Sequence, residues 1–418
     1  MQSTMLILAI LAALIAPVLA GPMTARAASP MQVQALTGSA LEQALDEQRS
    51  AGLVALYSLE YARAQKSFDE FVRLAPDRPQ GYLYRATTVW LKSLFDQRLL
   101  STSLYSRDDF YAQKEKTVDP VVDKAFRADL KRAIELADAR VKANPKDTES
   151  LYYLGAAHGA LGGYEATMAR AFFAALRNGS KAVDLHEKVL KLDPKFADAY
   201  LTIGLYHYVV GSLPFAVKIA AVMGGVRGSR REGLAEIERA AKQGARVGDD
   251  ARVMLVGLYA REGRLDDSVA TLRELKAKYP VNYIVALEEA NTLVKLKRHD
   301  AAYEAFAKLA DTPRATAEAR DFLEYSHGEA LRLGGRYDRA LSRYALVWTW
   351  KGADRDLVTL ARLSAGLCHD ALKQRAEALA QYRIVLRRAD VLDSHKRAER
   401  VVREPYAPSL PMASTGQL

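Results

Sequence analysis

A small residue, an alanine twelve positions later and an aromatic ring four beyond that recur along this chain. Gly52, Ala64 and Phe68 are followed by Pro76. The same spacing returns at Ala290, Ala302 and Phe306, at Gly328, Ala340 and Tyr344, and at Gly366, Ala378 and Tyr382. Gly257 and Val269 keep the twelve-residue interval with a poorer second residue. A second interval runs independently. Pro76, Pro145, Pro194 and Pro280 each stand ten residues before a small residue, at Ala86, Gly155, Gly204 and Ala290. Ala64, Ala133 and Ala182 stand twelve before the first three of those prolines. Two intervals in phase are the signature of a repeat array, not of a generic amphipathic bundle.

Packing explains the spacing. A small residue lets a neighbouring helix approach closely, an alanine on the second helix does the same from the other side, and the ring fills the wedge between them. Proline then stops the helix, because it has no N–H and clashes with the preceding turn. Each helix pair covers only part of its apolar face, so the next pair must lean on it. With 50% hydrophobic and 26% charged residues over 418 positions, the chain has enough apolar surface for such an array.

Leu151-x2-Leu154-Gly155 and Tyr200-x2-Ile203-Gly204, followed by the alanine, ring and proline positions, resemble the tetratricopeptide repeat. The fold expected is all-α, a tetratricopeptide-type solenoid of about eight antiparallel helix pairs over 45–390, with an open concave trough. Glu324 and Arg362 stand where a large apolar residue is expected, which predicts first helices shifted or partly exposed. The steps from Ala290 to Gly328 and on to Gly366 are each 38 residues, against a unit of ~34, which predicts longer connections. Larger steps predict insertions near 162–180 and 211–231, and a polar, weakly periodic stretch predicts another near 95–119. Residues 391–418 read as a basic helix carrying Lys396, Arg397, Arg400 and Arg403, and then a disordered tail.

The stretch 198–234 is more distinctive. Gly204-Leu-Tyr-His207-Tyr208, then Leu213-Pro214-Phe215, Gly224-Gly225, Arg230 and Gly233-Leu234, resembles the tetratricopeptide-repeat-39 group, which includes inclusion-body clearance proteins and exported bacterial relatives. Ser229 departs from that group's usual acid, and the resemblance implies no catalytic residue. Leu213 to Met223 is apolar except for Lys218, with Pro214 placed for a first helical turn. Being apolar all round, it reads as a helix buried between repeats. The alternative is contact with anionic lipid through Phe215, Lys218, Arg227, Arg230 and Arg231, aided by the basic C-terminal segment.

Leu6 to Ala20 is apolar throughout and fifteen residues long, short of the ~20 that cross a bilayer. Followed by small residues, it reads as a signal peptide over 1–27, cleaved after Ala20 or Ala27, with 28–44 as a linker. The expected location is the periplasm. No cysteine directly follows this stretch, so a lipid anchor of the lipoprotein kind is excluded, and the single Cys368 excludes an intramolecular disulfide framework.

Motifs for catalysis are missing: there is no His-Glu-x-x-His, Gly-x-Ser-x-Gly, Walker A or Cys-x-x-Cys sequence. His158, His186 and His207 lie on successive repeat helices without acids at ligand spacing, so packing or groove-lining is the expected role, with no metal or cofactor. The formal net charge of +10 comes from basic residues interleaved with acids, as on a solvated face, so nucleic acid is not an expected partner. The function read from the sequence is a non-catalytic scaffold for a protein or peptide of the cell envelope, with a membrane surface as the alternative contact. Its groove is expected to be lined by Tyr153, His158, Tyr200, His207, Tyr259 and Tyr283, whose rings give contact area at low entropic cost.

Overall fold

The computed structural model describes residues 38–100, 117–212 and 228–408. The chain divides into two compact units, Met1–Asn282 and Tyr283–Leu418. All the regular structure among the described residues is helical, in eight pairs of the tetratricopeptide type. The first unit holds α1 (Ser39–Tyr57) with α2 (Tyr61–Leu74), α3 (Pro79–Asp96) with α4 (Pro120–Ala143), and α5 (Thr148–Tyr164) with α6 (Phe172–Leu192). It continues with α7 (Ala199–Gly211) and α8 (Arg230–Gln243), then α9 (Gly248–Arg261) and α10 (Leu265–Lys278). The second unit holds α11 (Tyr283–Lys295) with α12 (His299–Ala310), α13 (Pro313–Leu333) with α14 (Tyr337–Thr349), and α15 (Arg355–Ala371) with α16 (Arg375–Leu386). A last helix, α17 (Ser394–Arg403), buries Ala398 and Val401 and turns a charged face outward.

Close approach at the small residues drives the pairing. A Cβ added at Gly52 would meet the Phe68 ring at 2.3 Å, one at Gly328 the Tyr344 ring at 2.6 Å, and one at Gly366 the Tyr382 ring at 2.2 Å. Those rings are fully buried. The tight turns inside five of the pairs share one geometry. The second residue after the first helix is left-handed at Leu59, Gly263, Lys297, Gly335 and Lys373. The next N–H then reaches back five residues, as from Glu60 to the Ala55 carbonyl and from Gln374 to that of His369. This pattern closes the helix C-terminus by satisfying a carbonyl left over there.

In the fifth pair the repeat lies one residue earlier than the Gly257–Val269 interval predicts. Ser268 is fully buried and donates its hydroxyl to the Val256 carbonyl at 3.0 Å, with Leu272 buried four residues on. The small residue sits on the second helix here, so valine is tolerated on the first. The third pair departs differently: the ring against Gly155 is His186, four residues after Ala182. Between α5 and α6 the chain makes a π-turn, Glu165–Ala169, and a left-handed residue, Arg170. The 38-residue step to Gly328 is accommodated by an early start of α13, whose backbone breaks at Ala319. Glu324, expected to be exposed or shifted, is instead buried and pairs with Arg343 at 3.3 Å.

The trough expected to be open is bridged within the first unit. Tyr57, at the end of α1, stacks on Tyr279 with ring centroids 4.9 Å apart and donates its hydroxyl to Asp250. Its carbonyl accepts from the Asn282 amide at 2.6 Å. Beneath it the buried Asp249 carboxylate accepts from Lys278, the Tyr279 hydroxyl and Arg252. The first helix pair therefore touches the fifth through aromatic, amide and carboxylate groups. The insertion segments 101–116 and 213–227 lie outside the described residues, as do the signal segment and the last ten residues.

Candidate functional site

Helix α7 is apolar almost throughout and carries Gly204 at its centre, so nothing on its inner side holds α8 away. Gly233 of α8 meets it there. A Cβ on Gly233 would lie 2.4 Å from the Gly204 carbonyl and 2.4 Å from the Tyr208 nitrogen, both backbone atoms. Crossing this closely, the two helices bring their longer side chains together at the rim. Arg239 of α8 donates to the Tyr200 hydroxyl at 2.8 Å and lies over its ring, 4.1 Å from the centroid. His207 bonds through Nδ1 to Glu236 at 2.7 Å. That hydrogen bond raises the imidazole pKa against the opposing effect of burial, with Glu187 and Glu232 adding to the rise. Tyr200 and His207 both remain half-exposed.

The other four expected groove residues lie elsewhere. Tyr259, buried, donates to Glu238 on α8 at 2.9 Å beneath the Arg264 guanidinium, which also bonds Glu238. His158 is half-exposed on α5 and bonds Asn178, which in turn donates to the buried Glu165 at the π-turn. Tyr153 is only 3% exposed, against Tyr152, and so offers no free ring. Tyr283 is buried at the start of α11 in the second unit. The structure therefore gathers Tyr200, His207 and Tyr259 around α8 and leaves the rest apart. Sequence reading missed the residues that hold them, Glu236, Glu238 and Arg239. A signal was present, because Glu236 and Arg239 are three apart and hence on one helical face.

Of the expected lipid-contact residues, Phe215, Lys218 and Arg227 lie outside the described residues. Arg230 is occupied internally, donating to Glu262 and lying 5.8 Å from the centroid of the Tyr208 ring, whose hydroxyl bonds the same carboxylate. Arg231 is exposed. No described helix is long and apolar enough to cross a membrane. Among the described residues no group of three His, Cys, Asp or Glu is placed to hold a metal. The Cys368 thiol is buried, which pushes its pKa up to about 12 and keeps it protonated.

His186 has a structural role with a pH consequence. Nε2 donates to the Tyr152 carbonyl at 3.0 Å, the ring stacks on Tyr152, and Nδ1 is buried with no partner. A second proton would sit on that unpartnered nitrogen, so burial lowers the pKa to about 4; His327 is likewise at about 4. Between pH 4 and about 6.5 the unfolded chain binds more protons than the folded one, so stability falls as the pH drops through this window. His207, with its raised pKa, opposes the trend, since its contribution is lost as pH rises through the folded value. We expect the unfolding free energy from urea titrations to fall from pH 7 to pH 4.5, by about 1 kcal/mol per pH unit for each of the two buried histidines. His186→Phe should keep the ring against Gly155 and remove its share of that slope. An unchanged slope in this variant would refute the assignment.

No protein-family model matches the chain, and no curated protein matches it in sequence. Solved structures with a similar arrangement of helices include a thermophilic TPR protein of Thermus thermophilus, 18% identical, with a TM-score of 0.34, covering 61% of this chain and 100% of that one. Pseudomonas aeruginosa pilF is 16% identical with a TM-score of 0.37, over 62% of this chain and 100% of its own. Yeast Tom70 is 13% identical with a TM-score of 0.35, over 87% of this chain and 89% of its own. At these scores the likeness is one of helix arrangement. The class of the fold rests on the eight pairs described above.

Proposed function

We propose that this chain is an exported, non-catalytic interaction scaffold that binds a peptide or protein segment of the cell envelope. The observation that carries the reading is the pair Tyr200 and His207, half-exposed and held in place by Arg239 and Glu236. A ring with a hydroxyl and an imidazole beside it present contact area and hydrogen bonds with little conformational freedom left to lose. His158, Tyr153, Tyr259 and Tyr283 enter this proposal as supports of the helices, with His158 the one of them still open to solvent. Export rests on the apolar run from Leu6 to Ala20 and agrees with the resemblance of 198–234 to exported relatives.

The test is a crosslinking pull-down from envelope extract, with the mature protein and its Tyr200→Ala/His207→Ala variant compared at equal folded fraction by circular dichroism. We expect the capture of at least one partner to drop tenfold or more. If every captured partner is retained equally, the rim at α7 and α8 is not the binding surface. N-terminal sequencing of the periplasmic form checks export, the expected new terminus following Ala20 or Ala27.

A further inference from the structure

The seventh and eighth helix pairs provide an internal comparison, since the repeat step between them is 38 residues throughout. In the seventh pair, Glu324 on the first helix faces Arg343 on the second, and the charges cancel at 3.3 Å. One turn earlier, the fully buried Asp321 accepts the backbone N–H of Asp354. In the eighth pair the corresponding residues are Arg362, Gln381 and Thr359. Both carboxylates are gone, and a guanidinium occupies the place of one of them.

Arg362 is half-buried between α14 and α16, its guanidinium 3.8 Å from the centroid of the Trp348 ring. Its Nη1 donates to the Gln381 Oε1 at 3.0 Å. A second half-buried guanidinium, Arg388, donates through Nε to the Thr359 hydroxyl and through Nη2 to the Arg355 carbonyl. Every one of these acceptors is neutral. Neither arginine has an ion pair among the described residues, in contrast to Arg343, Arg332 and Arg375 of the same unit. Burial and the nearby Arg388 together lower the Arg362 pKa, the mark of a cation lacking its counter-charge. Thr359, which Arg388 holds, lies one turn before Arg362 on α15, so both guanidiniums sit on one side of that helix. Keeping two such cations partly out of water is costly unless an anion joins them.

We propose that Arg362 and Arg388, with the Trp348 ring beside Arg362, form a binding site for a phosphate dianion, free or as a phosphomonoester, on the side of α15 flanked by α14 and α16. Two guanidiniums with fixed neutral partners retain N–H groups for the anion, and forked N–H donors suit phosphate oxygens. The charge of the pair matches that of the dianion. The Trp348 ring under Arg362 limits the freedom the side chain must give up on binding.

Isothermal titration of the full chain with inorganic phosphate, at ionic strength held constant with chloride, tests this. We expect one site, weakened at least tenfold by Arg362→Gln and by Arg388→Gln, and unaffected by Arg343→Gln. Gln381→Glu is the second variant. It restores the carboxylate that the seventh pair has, so it should abolish phosphate binding and raise the thermal midpoint in phosphate-free buffer. Phenyl phosphate, read by titration and by Trp348 fluorescence, separates the two sources: tighter binding than inorganic phosphate assigns a phosphomonoester, equal binding the free anion. The proposal is overturned if phosphate is not distinguished from chloride, or if Gln381→Glu binds phosphate as the wild type does.

Discussion

Replacing Tyr57 with alanine is expected to open the first unit and to destabilise it by about 3 kcal/mol, the loss typical of truncating a packed aromatic side chain. Three contacts converge on this residue: the stack on Tyr279, the hydroxyl bond to Asp250, and the Asn282 amide on its carbonyl. Only the last survives the substitution. The partners lie near 250 and 280 in sequence, so no local helix propensity can replace what is lost. Tyr57→Phe keeps the stack and removes the hydroxyl, and about 1–2 kcal/mol is expected for the hydrogen bond left unmade at Asp250. Urea denaturation gives the energies. Amide exchange over residues 248–282 should rise in the alanine variant and stay close to wild type in the phenylalanine one. Protection of that segment unchanged in Tyr57→Ala would show that the first and fifth pairs hold their places without this contact.

Gly233→Val should be the most damaging exchange on α8, costing about 3 kcal/mol by overpacking. The atoms that a new Cβ meets are the Gly204 carbonyl, 2.4 Å away, and the Tyr208 nitrogen, equally close. Both belong to a neighbouring helix backbone, so relief requires α7 and α8 to separate, and with them the Tyr200–Arg239 and His207–Glu236 contacts. Gly366→Ala makes a useful contrast. Its Cβ would be as crowded, at 2.2 Å, but against side-chain atoms of the Tyr382 ring, not helix backbone. The helix propensity gained on replacing glycine by alanine, about 1 kcal/mol, offsets part of that strain. Thermal melts of Gly233→Ala and Gly366→Ala should therefore rank the first well below the second. Equal midpoints would mean that the close crossing of α7 and α8 relaxes at no cost.

Both expectations rest on contacts whose visibility in the sequence differs. The glycine, alanine and ring intervals were readable at Gly52, Gly328 and Gly366 because a close helix crossing demands a small residue at a fixed distance from the ring that covers it. The same logic failed by one residue at Val256 and Ser268, where the small side chain moved to the second helix and a hydroxyl found its own carbonyl. It expected packing of His186 but did not place it against Gly155, since an insertion between α5 and α6 delays the second helix. Within the candidate site, Tyr200 and His207 could be singled out from α7, whereas Tyr153 and Tyr283, alike in residue type, turned out to be buried. Exposure depends on which neighbours arrive, and a helix's own pattern does not record that.

Local spacing alone determined that this chain is all-α, that its helices come in pairs of the tetratricopeptide type, and roughly where each pair ends. The reason is that these features depend on contacts between residues about 10 to 30 positions apart, whose chemistry is repeated and so visible. Tertiary structure alone decided that Tyr57 meets Asp250, that Glu324 finds Arg343 while Arg362 one repeat later finds no acid, and which tyrosines face solvent. Those outcomes depend on which side chains meet across helix faces, and on partners up to about 225 positions away, as for Tyr57 and Asn282. A local spacing pattern does not record contacts made at such separations.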